Sequence, residues 1–337
     1  MSANLDSSNQ PSSPKGSKVS FDFFQFLYKY GTILTIIVLI IVFSIANPSF
    51  LQWSNVENIL RSISIVTIIA VGLTISLSVN GFDLSIGSVA SLANAVVISM
   101  FVWYSQNTFV AIISALLAAA LVGLLNSFLI VKMKIPDMLL TLAMMFVIQG
   151  VALTYTRSAT ISPNMIMPDG SYSEGTISKV FSLLGQAPYI IIIMFVVVII
   201  AHIFLTYTKH GRYMYVIGGN EEAARLSGIP VNKYKVLAYV LSALLAALGG
   251  IILASRVMQA EINAGSDYLM DAVAAAFIGL SVMGAGKPNA FGTFVGAVLI
   301  GILANGLVMM SVPYYAMDIV KGGVFALALA ITYYKMK

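Results

Sequence analysis

Asp83 is the single charged residue between Ser62 and Val131, and it sits in the run Asn80-Gly81-Phe82-Asp83-Leu84-Ser85-Ile86-Gly87-Ser88. A carboxylate beside long apolar runs is costly and usually has a partner or a task. Gly81 and Gly87 let the backbone turn or approach a neighbour closely. Asp83 has two readings: an N-cap of the helix that follows, its charge complementing the helix's positive end, or a direct contact to a substrate or a proton. A second candidate is the run from Gly211 to Pro230. Here Asn220 reads as an N-cap, Glu221 and Glu222 as a first turn, and Ala223, Ala224 and Leu226 as the body. Arg225 and Ser227 accompany them, Gly228 is a stop and Pro230 an end. So short a helix is marginal alone. It is either a solvated loop helix or one that docks in a partner's groove through the small apolar patch of Ala223, Ala224 and Leu226. A third set, Asn94, Asn126, Gln149, Asp271 and Asn305, lies inside apolar runs. Unpaired polar groups are expensive there, so these residues should face other helices or a water-filled path.

Other chemistries are excluded by what the chain lacks. It has no cysteine and two histidines, His202 and His210. That removes a thiolate metal site and leaves too little for a histidine cage. No Gly-x-x-x-x-Gly-Lys-Ser/Thr run is present to cradle a phosphate, and no cluster of His, Asp, Glu or Ser suggests a catalytic centre. The sequence therefore predicts no catalytic residues, no metal, no cofactor and no nucleic-acid partner. A proton- or sodium-coupled transporter would want buried ionisable pairs, and only Asp83 and Asp271 are available for that.

The elements that hold these residues follow from composition. Of 337 residues, 59% are hydrophobic and 9% charged, against about 25% charged in soluble domains. Only lipid can cover so much apolar surface, so the expected fold is an all-α integral membrane protein. Runs near the ~20 residues that a bilayer requires predict about ten spans, at 30–47, 62–79, 84–104, 108–130, 138–156, 188–208, 236–255, 268–284, 290–310 and 317–334. With the N-terminus inside, thirteen of the 18 Lys and Arg fall in inner segments and five outside: Arg61, Arg157, Lys179, Arg256 and Lys321. This bias predicts that both termini are cytoplasmic.

Residues 1–20, rich in Ser, Pro, Asn and Gly, read as a disordered cytoplasmic tail. Residues 21–337 read as a single transmembrane domain whose first helix is retained. Its outer loop is 157–187. Its inner loop, 209–235, carries eight of the 33 charged and histidine residues. Trp53 to Arg61 reads as an amphipathic stretch at the outer interface. Ser78-Val79-Asn80-Gly81 before Gly87, and Ser281-Val282-Met283-Gly284 before Gly292, suggest an internal repeat of inner turns.

Several of these segments together resemble one family. Asn80 to Ser88 is similar to the Gly-Gly-Ile-Asp-Leu-Ser-Val-Gly-Ser signature of ribose-type ABC permeases, in the group that also contains branched-chain amino acid permeases. Asn80 stands where Gly is usual and Phe82 where Ile is common. Gly123-Leu124-Leu125-Asn126-Ser127-Phe128-Leu129-Ile130-Val131-Lys132 with Ile135-Pro136 and Thr141-Leu142, the Gly211–Pro230 loop, Gly284-Ala285-Gly286-Lys287 with Gly292-Thr293, and Val320-Lys321-Gly322-Gly323 follow in the family's order. The resemblance implies a permease subunit of an ATP-driven importer in a bacterial plasma (inner) membrane, translocating a small sugar handed over by a binding protein. That sugar would be ribose, a related monosaccharide or the furanosyl signal autoinducer-2. It implies three partners besides the bilayer: a separate ABC ATPase, an extracytoplasmic sugar-binding protein and a second permease, identical or different. It also implies that Asn220 to Gly228 form the helix that couples to the ATPase, and that the chain itself hydrolyses nothing.

Overall fold

A computed structural model describes residues 23–167, 169–282 and 286–334. The predicted tail, and Met283 and Gly284 of the repeat, lie outside the described residues. The chain folds as α1 (Phe23–Ala46), α2 (Trp53–Leu77), α3 (Ile86–Val102), α4 (Thr108–Met133), α5 (Asp137–Thr156), α6 (Lys179–Leu184), α7 (Tyr189–Tyr207), α8 (Lys209–Gly219), α9 (Glu221–Leu226), α10 (Val231–Val257), α11 (Ser266–Ser281), α12 (Ala290–Met309) and α13 (Tyr314–Tyr334). Each of the ten predicted runs overlaps one of these helices. Among the described residues, α2, α4, α5, α7, α10 and α12 are long and apolar enough to cross a membrane.

The bundle is organised around α2 and α10. From Ile63 to Ser76 every residue of α2 is buried, which requires neighbours on all sides. It packs on α7, α10, α11 and α12, while α10 also packs on α3 and α4. Small residues set the close approaches: Gly250 backs onto Ala90, and Gly296 onto Ala275. By contrast, α4, α5 and α7 bury one side. Leu117, Leu121 and Phe128, then Phe146 and Val147, then Ile192, Ile199 and Ile203 are exposed. That apolar belt suits acyl chains and would be unfavourable in water.

Turn chemistry places the helix ends. Asn107 accepts from the Val110 N–H to open α4, Thr208 from the Gly211 N–H to open α8, and Ser178 from the Val180 N–H to open α6. Lys134 and Arg157 take left-handed conformations after α4 and α5.

Three expectations need correction. Trp53–Arg61 is continuous with the following span, forming the first turns of α2. Within it, the Asn55 amide donates to the Phe50 carbonyl at 2.8 Å and to Asn305 at 3.0 Å. The 209–235 segment contains two helices rather than one, and its last five residues already belong to α10. The 157–187 loop includes α6.

The two ends of the bundle differ. One end carries α8 and α9, the 80–85 turn and the start of α5. The other, called here the loop end, carries the 157–187 segment. There Ile161 pairs with Ala260 through reciprocal backbone hydrogen bonds.

Candidate functional site

The 80–85 turn is tied to three helices. Asp83 is buried, with 1% of its surface exposed. Its Oδ1 accepts from the Ser85 N–H at 3.0 Å and from the Ser85 hydroxyl at 2.6 Å. Its Oδ2 accepts from the Ser242 hydroxyl of α10 at 2.9 Å. The Asn126 amide of α4 donates to the Ser85 hydroxyl at 2.9 Å. From α5, Thr141 donates to the Phe82 carbonyl at 2.9 Å and accepts from the Leu84 N–H at 3.1 Å. The Asp137 carboxylate accepts from the Phe82 N–H at 3.3 Å and from the Tyr239 hydroxyl at 3.0 Å.

Asp83 therefore does not cap α3 by itself, as expected from sequence. The N-cap position is Ser85, and Asp83 braces that residue while reaching across to α10. Asn80 has φ +57°, a left-handed conformation that Asn tolerates far better than most residues. Glycine is equally suited to it, which accounts for Asn standing where Gly is usual.

Just beyond the turn, the N-terminus of α3 meets that of α11. A Cβ on Gly87 would lie 3.0 Å from the Leu269 Cβ and 3.1 Å from the Gly265 carbonyl oxygen. The Gly265 N–H donates to the Ser91 hydroxyl at 2.9 Å, and Ser88 donates to the Ser85 carbonyl at 2.9 Å.

The α8–α9 unit rests directly on this region. A side chain at Gly218 would run into the Ser78 carbonyl oxygen, so α8 ends against the end of α2. The Tyr215 hydroxyl donates to the Pro288 carbonyl at 2.7 Å, and burial pushes its pKa up to about 12. The Asn220 side chain accepts from the Ala223 N–H at 2.9 Å, opening α9. Gly228 takes φ +77° after it. Glu221 pairs with Lys235 at 2.7 Å and Arg225 at 2.9 Å. The hydrogen bond from Lys235 leads in holding the Glu221 carboxyl below its ordinary range.

The apolar residues of α9 divide. Ala224 is fully buried and belongs to a cluster with Ile75, Val79, Leu205, Met214, Ile217, Val231, Tyr234 and Ala238. Leu226 is 84% exposed, and Ala223, Glu222, Arg225, Ser227 and Gly228 are exposed beside it. The expected docking patch is corrected accordingly: Ala224 faces the chain's own core, leaving Leu226 and Ala223 outward.

The polar residues within the runs do not converge. Asn126 belongs to the turn. Asn94 is buried in α3 and its Oδ1 has no hydrogen-bond partner among protein atoms. Gln149 is half-buried on α5. Asn305 exchanges two 3.0 Å hydrogen bonds with Asn55. Asp271 is paired with Lys321, whose Nζ lies 3.1 Å from both carboxylate oxygens. Sequence reasoning missed Asp137, Tyr239, Ser242 and Asn55, and named Thr141 only within the family resemblance. One signal was available: Asp137 directly follows Pro136 at the start of a span, where a carboxylate needs a partner. Among the described residues, no three His, Asp or Glu side chains gather as they would around a metal.

A family model described as branched-chain amino acid transport system / permease component matches residues 55–329. The chain belongs to this permease family. Its helices and lipid-facing belt make it a multi-pass membrane protein. Among curated relatives, the ribose import permease RbsC of Escherichia coli K12 is 35% identical over 305 residues, spanning 90% of this chain and 94% of that one. RbsC of Bacillus subtilis 168 is 36% identical over 311 residues, 90% and 92% of the two chains. The xylose transport system permease XylH of Haemophilus influenzae is 28% identical over 359 aligned positions, 90% and 96% of the two chains. No solved structure matches this permease.

Proposed function

We propose that this chain is the membrane-spanning permease subunit of an ATP-driven importer, carrying ribose or a related monosaccharide across a bacterial inner membrane. The observation that carries the reading is similarity running nearly end to end to ribose import permeases, at 35–36% identity. The lack of a phosphate-cradling loop agrees with a transport subunit whose ATP hydrolysis occurs on a separate chain.

In this reading residues 1–20 are a cytoplasmic tail, the rest is one permease domain, and ten helices cross with both termini inside. The Lys and Arg distribution supports that orientation. So does the grouping of helix ends, with the inner turns lying beside α8 and α9 and the outer ones beside 157–187. Asn220 to Gly228 form the coupling helix to the ATPase, with Leu226 as its exposed apolar contact. The 80–88 turn joins that helix to α3, α4, α5 and α10. A binding protein delivers sugar at the loop end, and a second permease subunit completes the path.

Uptake of labelled ribose, xylose and autoinducer-2, by cells expressing the chain with its ATPase and binding protein, tests the reading. ATP-dependent ribose uptake is expected. Uptake of none of the three would overturn it.

A further inference from the structure

At the loop end, the starts of α2, α11 and α13 and the ends of α10 and α12 surround two adjoining clefts of about 430 and 620 Å³. Each falls in the size range of small-molecule sites, roughly 300–1,000 Å³. Both are lined by Asp267, Asp271, Ile300, Met317 and Lys321. The Asp271–Lys321 ion pair therefore stands where the two meet, its side chains 19% and 24% exposed.

A pair of charges among membrane helices is unfavourable compared with an apolar contact of the same shape. This pair joins α11 to α13, while α12 and α2 meet beside it through Ile63 against Gly301. Asn58, Ser62, Arg256 and Asn305 add amide, hydroxyl and guanidinium groups to the same cleft. Tyr268 on one side and Phe325 on the other supply ring surface.

This set suits a neutral polyol. A hydroxyl both donates and accepts, so carboxylates accept its hydrogen bonds while ammonium, guanidinium and amide groups donate to its oxygens. The rings cover the carbon face. Three acids, Asp267, Asp271 and Asp318, stand against two bases, Arg256 and Lys321. A site for a cation would want a larger acidic excess, and one for an anion a basic excess.

Resting on the sugar-permease reading above, we infer that this cleft binds the sugar on its way through the membrane, with Asp271 and Lys321 exchanging their mutual bonds for bonds to its hydroxyls. The two side chains are then specificity-determining contacts, and Ser62 and Asn305 select among sugars at the cleft wall.

The test uses proteoliposomes containing the chain, its ATPase and its binding protein. Uptake, basal ATP hydrolysis and thermal unfolding are measured for wild type, Asp271→Asn, the swap Asp271→Lys with Lys321→Asp, and Ser62→Ala. Asp271→Asn should cut uptake about tenfold, the order for one lost charge-assisted hydrogen bond. The swap should restore thermal stability without restoring uptake, because a sugar sees donor and acceptor exchanged. Ser62→Ala, which leaves the ion pair intact, should change the ratio of ribose to xylose uptake. Wild-type uptake and sugar ratio in both the swap and Ser62→Ala would reduce the pair to a structural strut and overturn the site. Wild-type liposomes that move neither pentose would instead fail the sugar reading, and the site with it.

Discussion

The α8–α9 end and the loop end of the bundle secure their polar groups in opposite ways. At the first, the polar groups of the 80–85 turn are held by α4, α5 and α10 through short hydrogen bonds, with Asp83 and Thr141 wholly inside. Both Asp83 oxygens are engaged there, while the Asn126 Oδ1 is buried without a partner among protein atoms. At the loop end, the Asp271–Lys321 pair lies on an open cleft and is partly exposed. The first arrangement ties α9 to the end of α2, since Ala224 shares a buried cluster with Ile75 and Val79. The second can exchange partners. Polarity in a membrane protein thus serves as a joint where it is saturated, and as a site where it is not.

The largest expected effect tests the joint. Ala224→Glu would place a charge without a partner among Ile75, Met214 and Tyr234. It should lower stability on the order of 3–5 kcal/mol, seen as a large fall in folded yield and unfolding temperature in detergent. An unchanged unfolding temperature would mean that α9 is not seated on the core.

Asp83→Leu comes next. It leaves the Ser85 and Ser242 donors unmet and should cost about 2–3 kcal/mol in unfolding measurements. Asp83→Asn, which keeps an acceptor and can donate to Ser242, should recover most of that. Equal losses for Leu and Asn would show that the charge matters, rather than the hydrogen bonds.

Gly228→Val forces a β-branched residue to φ +77° and should cost about 1–2 kcal/mol, local to α9. Hydrogen exchange of residues 221–228 should rise while the rest of the chain is unaffected.

The smallest effect concerns pH. Glu221 is depressed in the folded state by Lys235, so its contribution is present above the ordinary carboxylate value and lost as pH falls through the depressed one. The pair is partly exposed, so the effect should stay below about 1 kcal/mol. Exchange protection of α9 should hold steady from neutral pH down to about 4.5, the ordinary Glu value, then weaken. Glu221→Gln should abolish that dependence.

Much of this was legible in the sequence for physical reasons. Apolar runs announce membrane helices because lipid removes the need for a polar face. Asn220, Gly228 and Pro230 announce α9 because caps and stops are local chemistry. What stayed hidden depends on distance along the chain. Asp83 meets Ser242 across 159 residues, and Asp137 meets Tyr239 across 102, pairings that no spacing rule encodes. Helix α8 was missed because Gly211, Gly218 and Gly219 argue against a helix locally, yet the close approach to Ser78 requires a small residue at Gly218. The direction of Ala224 was misjudged because a two-turn helix has too few residues to reveal which face is buried.

The most direct test of the central claim is Leu226→Glu. Leu226 touches solvent and not the core, so the variant should insert and unfold at the wild-type temperature. If α9 is the contact through which a separate ATPase drives this permease, the variant should fail to co-purify with that ATPase and lose ATP-driven ribose uptake. Wild-type association together with wild-type uptake would contradict the account.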